Sequence, residues 1–155
     1  MNHWLLKTEP STYSIDDLER DRRTRWTGVR NFLARNFMTD GMKPGDLALI
    51  YHSSAEPPGV AGLARISAAA APDETQFHPG DAFDPRATRA TPVWFAVEVE
   101  FLERAPTFVP LAAIRAEKKL ARMELLRKGS RLSISPVTPA QFRTLSKLAH
   151  FHQSP

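Results

Sequence analysis

Trp26-Thr27-Gly28-Val29-Arg30-Asn31-Phe32-Leu33-Ala34-Arg35-Asn36 is the stretch on which this chain turns. A large aromatic stands two residues before a glycine, and the pattern then changes to a helical period. Val29, Leu33 and Phe37 recur every four residues and form an apolar stripe with Phe32, while Arg30, Asn31 and Arg35 lie off it. Gly28 has no Cβ and permits the positive-φ turn that feeds the helix. Such a turn brings Trp26 and the first helical amides to one place. The result is an aromatic platform beside a positive helix end, suited to a flat, electron-rich ligand or a phosphate. Taken alone, the stretch also fits a core tryptophan with arginines on a solvated face.

Outward from it, short strands and short helices alternate. His3 to Thr8 is an apolar strand stopped by Pro10. Ser14-Ile15-Asp16-Asp17 opens a short helix to about Arg20. A basic loop leads to Trp26, and the helix after it ends before Gly41. Lys43-Pro44-Gly45-Asp46 is a turn, followed by a strand from Leu47 to His52, a Glu56-Pro57-Pro58-Gly59 loop and a strand from Val60 to Ile66. Ala71 to Pro92 holds four prolines and reads as a long excursion. Val93 to Phe101 alternates cleanly, with Glu98 and Glu100 on the polar face. Leu111 to Leu126 is helical in two pieces, ended by Gly129. Leu132 to Ile134 is a last strand closed by Pro136, and Thr138-Pro139-Ala140-Gln141 caps a final helix to about Ala149. This order predicts an α+β fold whose small mixed sheet curls toward a barrel. One domain spans residues 1–150, and 151–155 form a frayed tail.

The 155 residues contain no cysteine, which excludes disulfides, thiolate metal sites and a cysteine nucleophile. No signal-peptide pattern opens the chain, and no apolar run approaches membrane-spanning length. A cytoplasmic (bacterial-type) or nuclear protein, working as a monomer away from membranes, is expected. The five histidines lack ligand spacing and no phosphate-loop glycines appear, so no metal, cofactor or nucleotide hydrolysis is expected. The net charge of +4 is unevenly spread. Arg20 to Arg35 carries six arginines against Asp21, and Arg115 to Arg131 seven basic residues against two glutamates. Between them, residues 36–114 hold ten acidic and five basic residues. Two basic segments can form one patch for a polyanion, or two separate solvated faces.

Four motifs in order resemble the EVE domain of the PUA-like superfamily. They are Trp4-Leu5-Leu6-Lys7-Thr8-Glu9-Pro10, Trp26-Thr27-Gly28-Val29-Arg30-Asn31 with Ala34-Arg35-Asn36, Gly45-Asp46-Leu47 with Tyr51-His52-Ser53, and Arg131-Leu132-Ser133 with Pro136-Val137. The resemblance runs from Trp4 to about Leu148. It implies a PUA-like mixed-sheet pseudobarrel with short helices packed around it and a pocket at one mouth. EVE domains are similar to YTH domains, which read methylated adenine in RNA, and to readers of modified cytosine in DNA. The implied activity is non-catalytic: a module that reads a modified base, flipped or single-stranded, in RNA or DNA. By that likeness Lys7, Thr8 and Glu9 form one wall of the base pocket, and Gly28, Val29, Arg30 and Asn31 a second. Where YTH domains carry a cage tryptophan this sequence has Arg30, whose planar guanidinium can also stack on a base.

Physical chemistry adds to that set. Trp26 or Tyr51 offers a ring for stacking, and Thr8, Asn31, His52 and Ser53 offer short donors and acceptors for a base edge. Tyr51 and His52 point to opposite faces of their strand, so at most one lines the pocket. Arg22, Arg23, Arg25 and Arg35 are expected at one rim as phosphate contacts, with Arg127, Lys128 and Arg131 opposite. One alternative is enzymatic. ASCH amidohydrolases, also PUA-like, cleave an acyl group from a modified cytidine with a lysine, a threonine and a glutamate, and Lys7, Thr8 and Glu9 supply those types. Adjacent strand residues face opposite ways, which argues against that use. A protein-interaction module is the third class, favoured by a large exposed apolar patch.

Overall fold

β1 (His3–Thr8) is the pivot of the sheet. Trp4 and Leu6 enter one core and Leu5 the other, so the strand is covered on both faces. The structure, a computed structural model, describes residues 1–152. β1 pairs in parallel with β3 (Leu47–His52) and antiparallel with β6 (Ile134–Val137). β4 (Gly59–Pro72), β5 (Phe95–Pro110) and β2 (Arg23–Arg25) extend it antiparallel into a six-stranded sheet of order β2-β5-β4-β3-β1-β6. A parallel pair needs a crossover. α1 (Ile15–Asp21), β2, α2 (Phe32–Asn36) and a π-helical turn at Phe37–Gly41 supply it between β1 and β3. Repeated register shifts between β4 and β5 bend these long strands, so the sheet curls.

Each face of the sheet has its own core. One gathers Trp4, Leu6, Trp26, Ile50, Ile66 and Val97 beneath α1 and α2. The other gathers Leu5, Leu49, Leu63, Phe142 and Leu145 beneath α3 (Leu111–Ala116) and α4 (Pro139–Ala149). α1 presses so closely on the sheet that a Cβ at Gly62 would stand 2.3 Å from Ile15 Cδ1. Capping boxes at Ser14/Asp17 and Thr138/Gln141 open α1 and α4 where the sequence places them.

Several elements differ from expectation. Around α2 the period of four is present but its phase is shifted. Asn31 Oδ1 accepts the Ala34 N–H, so the helix starts at Phe32 and buries Ala34, with Met38 buried in the turn that follows. Phe32 and Leu33, assigned to the apolar stripe, are 48% and 51% exposed. The expected basic loop contains β2, an edge strand with no apolar residue to mark it. β4 and β5 run on to Pro72 and Pro110, well past Ile66 and Phe101. Pro136 sits inside β6 rather than closing a strand before it. β6 is an edge strand, where a missing N–H is tolerated. Fraying does not begin after His150: Phe151 packs into the second core and the His152 N–H donates to Glu103 Oε1 at 2.8 Å. Residues 153–155 lie outside the described residues.

Candidate base-binding cavity

The cavity opens where β1 ends. Lys7 and Thr8 meet Thr12 and Tyr13 from the loop before α1, Thr24 and Arg25 from β2, the run Trp26–Arg30, and Ser133 just before β6. Together they enclose about 240 Å³. That is smaller than the roughly 300–1,000 Å³ of clefts for drug-sized ligands, and it suits a single flat ring. Trp26 is 7% exposed and meets Tyr13 edge to face, ring centroids 6.2 Å apart. The Tyr13 hydroxyl donates to Asp21 Oδ2 at 2.9 Å, and burial together with that bond pushes its pKa up to about 12, so the phenol stays neutral. Thr8 Oγ1 donates to the Tyr13 carbonyl at 2.7 Å and keeps lone pairs to accept. Burial lowers the pKa of Lys7, opposed by the charge of Glu124. No carboxylate lines the cavity among the described residues.

Buried Asp73 holds the Gly28–Arg30 wall. Gly28 takes φ +85° and donates its N–H to Asp73 Oδ2 at 2.9 Å; Arg30 Nη1 donates to the same oxygen at 3.0 Å. Thr75 donates both its N–H and its hydroxyl to Oδ1. Burial would raise the Asp73 pKa, but the hydrogen bonds from Thr75, Gly28 and Arg30 outweigh it and hold the carboxylate below its usual value. The remaining Arg30 donors reach the carbonyls of Val29 and Ala82 and the Thr75 hydroxyl. All five N–H groups are then committed. The guanidinium lies 5.3 Å from the Trp94 ring.

Residues 2–148 match the model of the EVE domain. This chain belongs to the EVE family. It is 37% identical over 161 residues to human thymocyte nuclear protein 1, an alignment covering 91% of this chain and 71% of that one. A solved protein of Pseudomonas putida is 42% identical with a TM-score of 0.91, over 95% of this chain and 99% of that one. The structure of the human THYN1 protein in complex with 5-methylcytosine-containing DNA is 35% identical, with a TM-score of 0.90 over the whole of both chains. The fold is thus the α+β, PUA-like fold of EVE domains. An ASCH protein of Zymomonas mobilis, 10% identical at a TM-score of 0.52, shares the fold alone.

In this EVE domain Lys7, Thr8, Trp26, Gly28, Val29 and Arg30 border the cavity. Lys7 and Thr8 do so together although they are neighbours on a strand, because the cavity sits at the strand's end. The other expected residues serve elsewhere. Glu9 is exposed, and its carbonyl accepts the N–H groups of Thr12 and Tyr13. Asn31 caps α2. Tyr51 is 3% exposed in the core on the far side of the sheet. His52 Nε2 accepts the Ile15 N–H at 3.1 Å, and Ser53 N–H donates to the Thr8 carbonyl at 2.9 Å. Asn31, Tyr51, His52 and Ser53 therefore buttress the elements around the cavity. Sequence reasoning missed Thr12, Tyr13, Thr24, Thr27 and Ser133. Thr27 and Ser133 stand in the second and fourth motifs and Tyr13 is an aromatic in a polar turn, whereas Thr12 and Thr24 carried no signal.

The expected phosphate residues also divide. Arg25 lines the cavity and donates to the Ala69 and Ala96 carbonyls. Arg22 rests over Phe101 at 5.2 Å. Arg23 pairs with Glu100, which Arg65 also engages. Arg35 donates to the Val93 carbonyl and Asn36, and Arg127 pairs with Glu124. Lys128 and Arg131 are exposed without an ion pair among the described residues.

Proposed function

We propose that this EVE domain is a non-catalytic nucleic-acid-binding module that takes one modified base, unstacked from its strand, into the cavity at the end of β1. The observation that carries the proposal is the cavity itself: room for one ring, aromatic walls from Trp26 and Tyr13, hydroxyls around the edge, and Lys7 and Arg25 beside them. The human relative solved with 5-methylcytosine-containing DNA supports the same class of ligand. A base in the cavity packs on Trp26 and Tyr13, an added methyl group meets Val29, and Lys7 and the threonines address the polar edge. Stacking contributes about 1–3 kcal/mol per base, and unstacking costs a comparable few. Backbone contacts must supply the difference. Arg25 stands on one side of the cavity, while Ser133 brings the segment carrying Lys128 and Arg131 to the other.

The test is a panel of single strands, each with one modified base, titrated at two salt concentrations. One modified strand should bind tighter than its unmodified match. Arg25→Ala should weaken both and reduce the slope of log affinity against log salt by roughly one. Equal affinity across the whole panel would overturn the proposal. The amidohydrolase alternative has no supporting feature beyond Lys7 and Thr8, because Glu9 stands outside the cavity and Thr8 is held by the Tyr13 carbonyl. Acylated cytidine incubated with the protein should stay intact; turnover abolished by Thr8→Ala would reassign the class.

A further inference from the structure

Among the described residues the exposed large hydrophobic side chains are Met1, Phe32, Leu33, Phe83 and Phe108. Three of them stand near Arg30, or near a residue it bonds, in the chain. Phe83 follows Ala82, whose carbonyl accepts from Arg30, and Phe32 and Leu33 stand two and three positions after Arg30. For Phe32 the link is also physical. Arg30 forms part of the cavity wall and lies 5.3 Å from the Trp94 ring, and Phe32 stacks on that same ring with centroids 4.8 Å apart and planes 21° apart. Trp94 is a rigid pedestal. Its Nε1 donates to buried Asp84 at 2.7 Å, and its backbone N–H donates to Gln76 Oε1 at 2.9 Å. Arg35 lies over the Phe32 ring at 4.8 Å and has no carboxylate partner among the described residues.

Resting on the base-binding reading of the neighbouring cavity, we propose that Phe32 and Leu33 form a wedge that enters the base stack of a duplex as the modified base leaves it. The stack on Trp94 accounts for part of the Phe32 ring, yet about half of each side chain is left open. A helix of this phase buries Ala34, and the apolar pair at its start is left open to water at 48% and 51% exposure. A duplex that gives up one base presents an apolar gap between two base faces, which a phenylalanine and a leucine fill better than water does. The flanking phosphates then find Arg35, a cation on the same helix, so the occupant matches the site in charge as well as in apolarity. The wedge and the cavity share the Trp94 support, so opening the stack and receiving the base are done by two ends of one rigid segment.

The experiment compares one modified base in a duplex and in a single strand, using the wild-type protein, Phe32→Ala, Leu33→Ala and Lys7→Ala. A single strand has no pairing to break, so the wedge should matter only for the duplex. Phe32→Ala and Leu33→Ala are expected to weaken duplex binding by about tenfold or more and to leave single-strand binding within about twofold. Lys7→Ala should weaken both. Leu33 is 51% exposed and takes no part in the Trp94 stack, which makes its variant the check should Phe32→Ala lose stability through that stack. Equal loss on both substrates, or no loss with Leu33→Ala on the duplex, would overturn the wedge. Failure of the wild-type protein to prefer the modified single strand would instead overturn the cavity reading.

Discussion

Asp73 decides the shape of the cavity wall. Its carboxylate is fully buried and accepts from Gly28, Arg30 and Thr75, so it fixes the Gly28 turn and the Arg30 side chain together. Removing it strands a guanidinium and two N–H groups in a partly dry site. Asp73→Ala should therefore reduce the unfolding free energy by about 3 kcal/mol in urea titration and abolish the preference for a modified base. Unchanged stability would mean that water replaces the carboxylate freely. Arg30 also shows where residue-level inference from sequence stops. Its chemistry suits stacking on a base, but apart from the Val29 carbonyl its partners lie 43 to 52 residues away, in the stretch that shows no periodicity. Nothing local could show that every donor was already committed.

At the scale of elements, local chemistry was legible wherever it was self-contained. Thr138 and Gln141 exchange side-chain and backbone bonds at the start of α4, as the residue types alone demand. Thr138→Ala should cost about 1 kcal/mol by thermal or urea unfolding, while Arg143→Ala, exposed on the same helix, should change little. What stayed hidden depends on long-range partners. β2 reads Arg23-Thr24-Arg25 and exists because β5 offers an edge, with Arg23 opposite Glu100 and Arg25 opposite Glu98. The phase of α2 is set by the Asn31 cap, which outweighs the apolar stripe that its sequence suggests. The motifs at Lys7-Thr8 and at Trp26 to Arg30 do converge on one cavity, so its two main walls were legible. The third motif was not, because the strand interior of β3 sends Tyr51 to the opposite core and leaves His52 to cap α1.

Across the whole molecule, buried His3 and half-buried His52 make stability sensitive to mild acid. Burial lowers the pKa of His3, with the N-terminal charge and Arg143 adding to it and Asp46 opposing; its ring packs on Phe142 at 4.3 Å, tilted by 30°, and neither nitrogen has a hydrogen-bond partner among the described residues. Burial also lowers His52, with Asp16 opposing and Arg104 assisting, and its Nε2 must stay unprotonated to accept from Ile15. For both groups the unfolded chain binds the proton more readily than the fold. Stability is thus fully present above the unfolded value of 6.5 and declines as pH falls below it. Melting temperature should drop between about pH 6.5 and 5, before carboxylates titrate. His3→Phe should remove part of that decline. A flat profile in the wild type would contradict the neutral state of both rings.

The central claim is that a modified base enters the cavity between the end of β1 and the Gly28 turn. Backbone NMR of the protein, titrated with the modified single strand that binds tightest in the panel and with its unmodified match, tests it most directly. The predicted result is a set of shifts centred on Lys7, Thr8, Tyr13, Arg25, Trp26, Gly28, Val29, Arg30 and Ser133 that is larger for the modified strand. Shifts centred instead on the open groove beside Thr39, Asp40 and Phe95, or identical for the two strands, would contradict it.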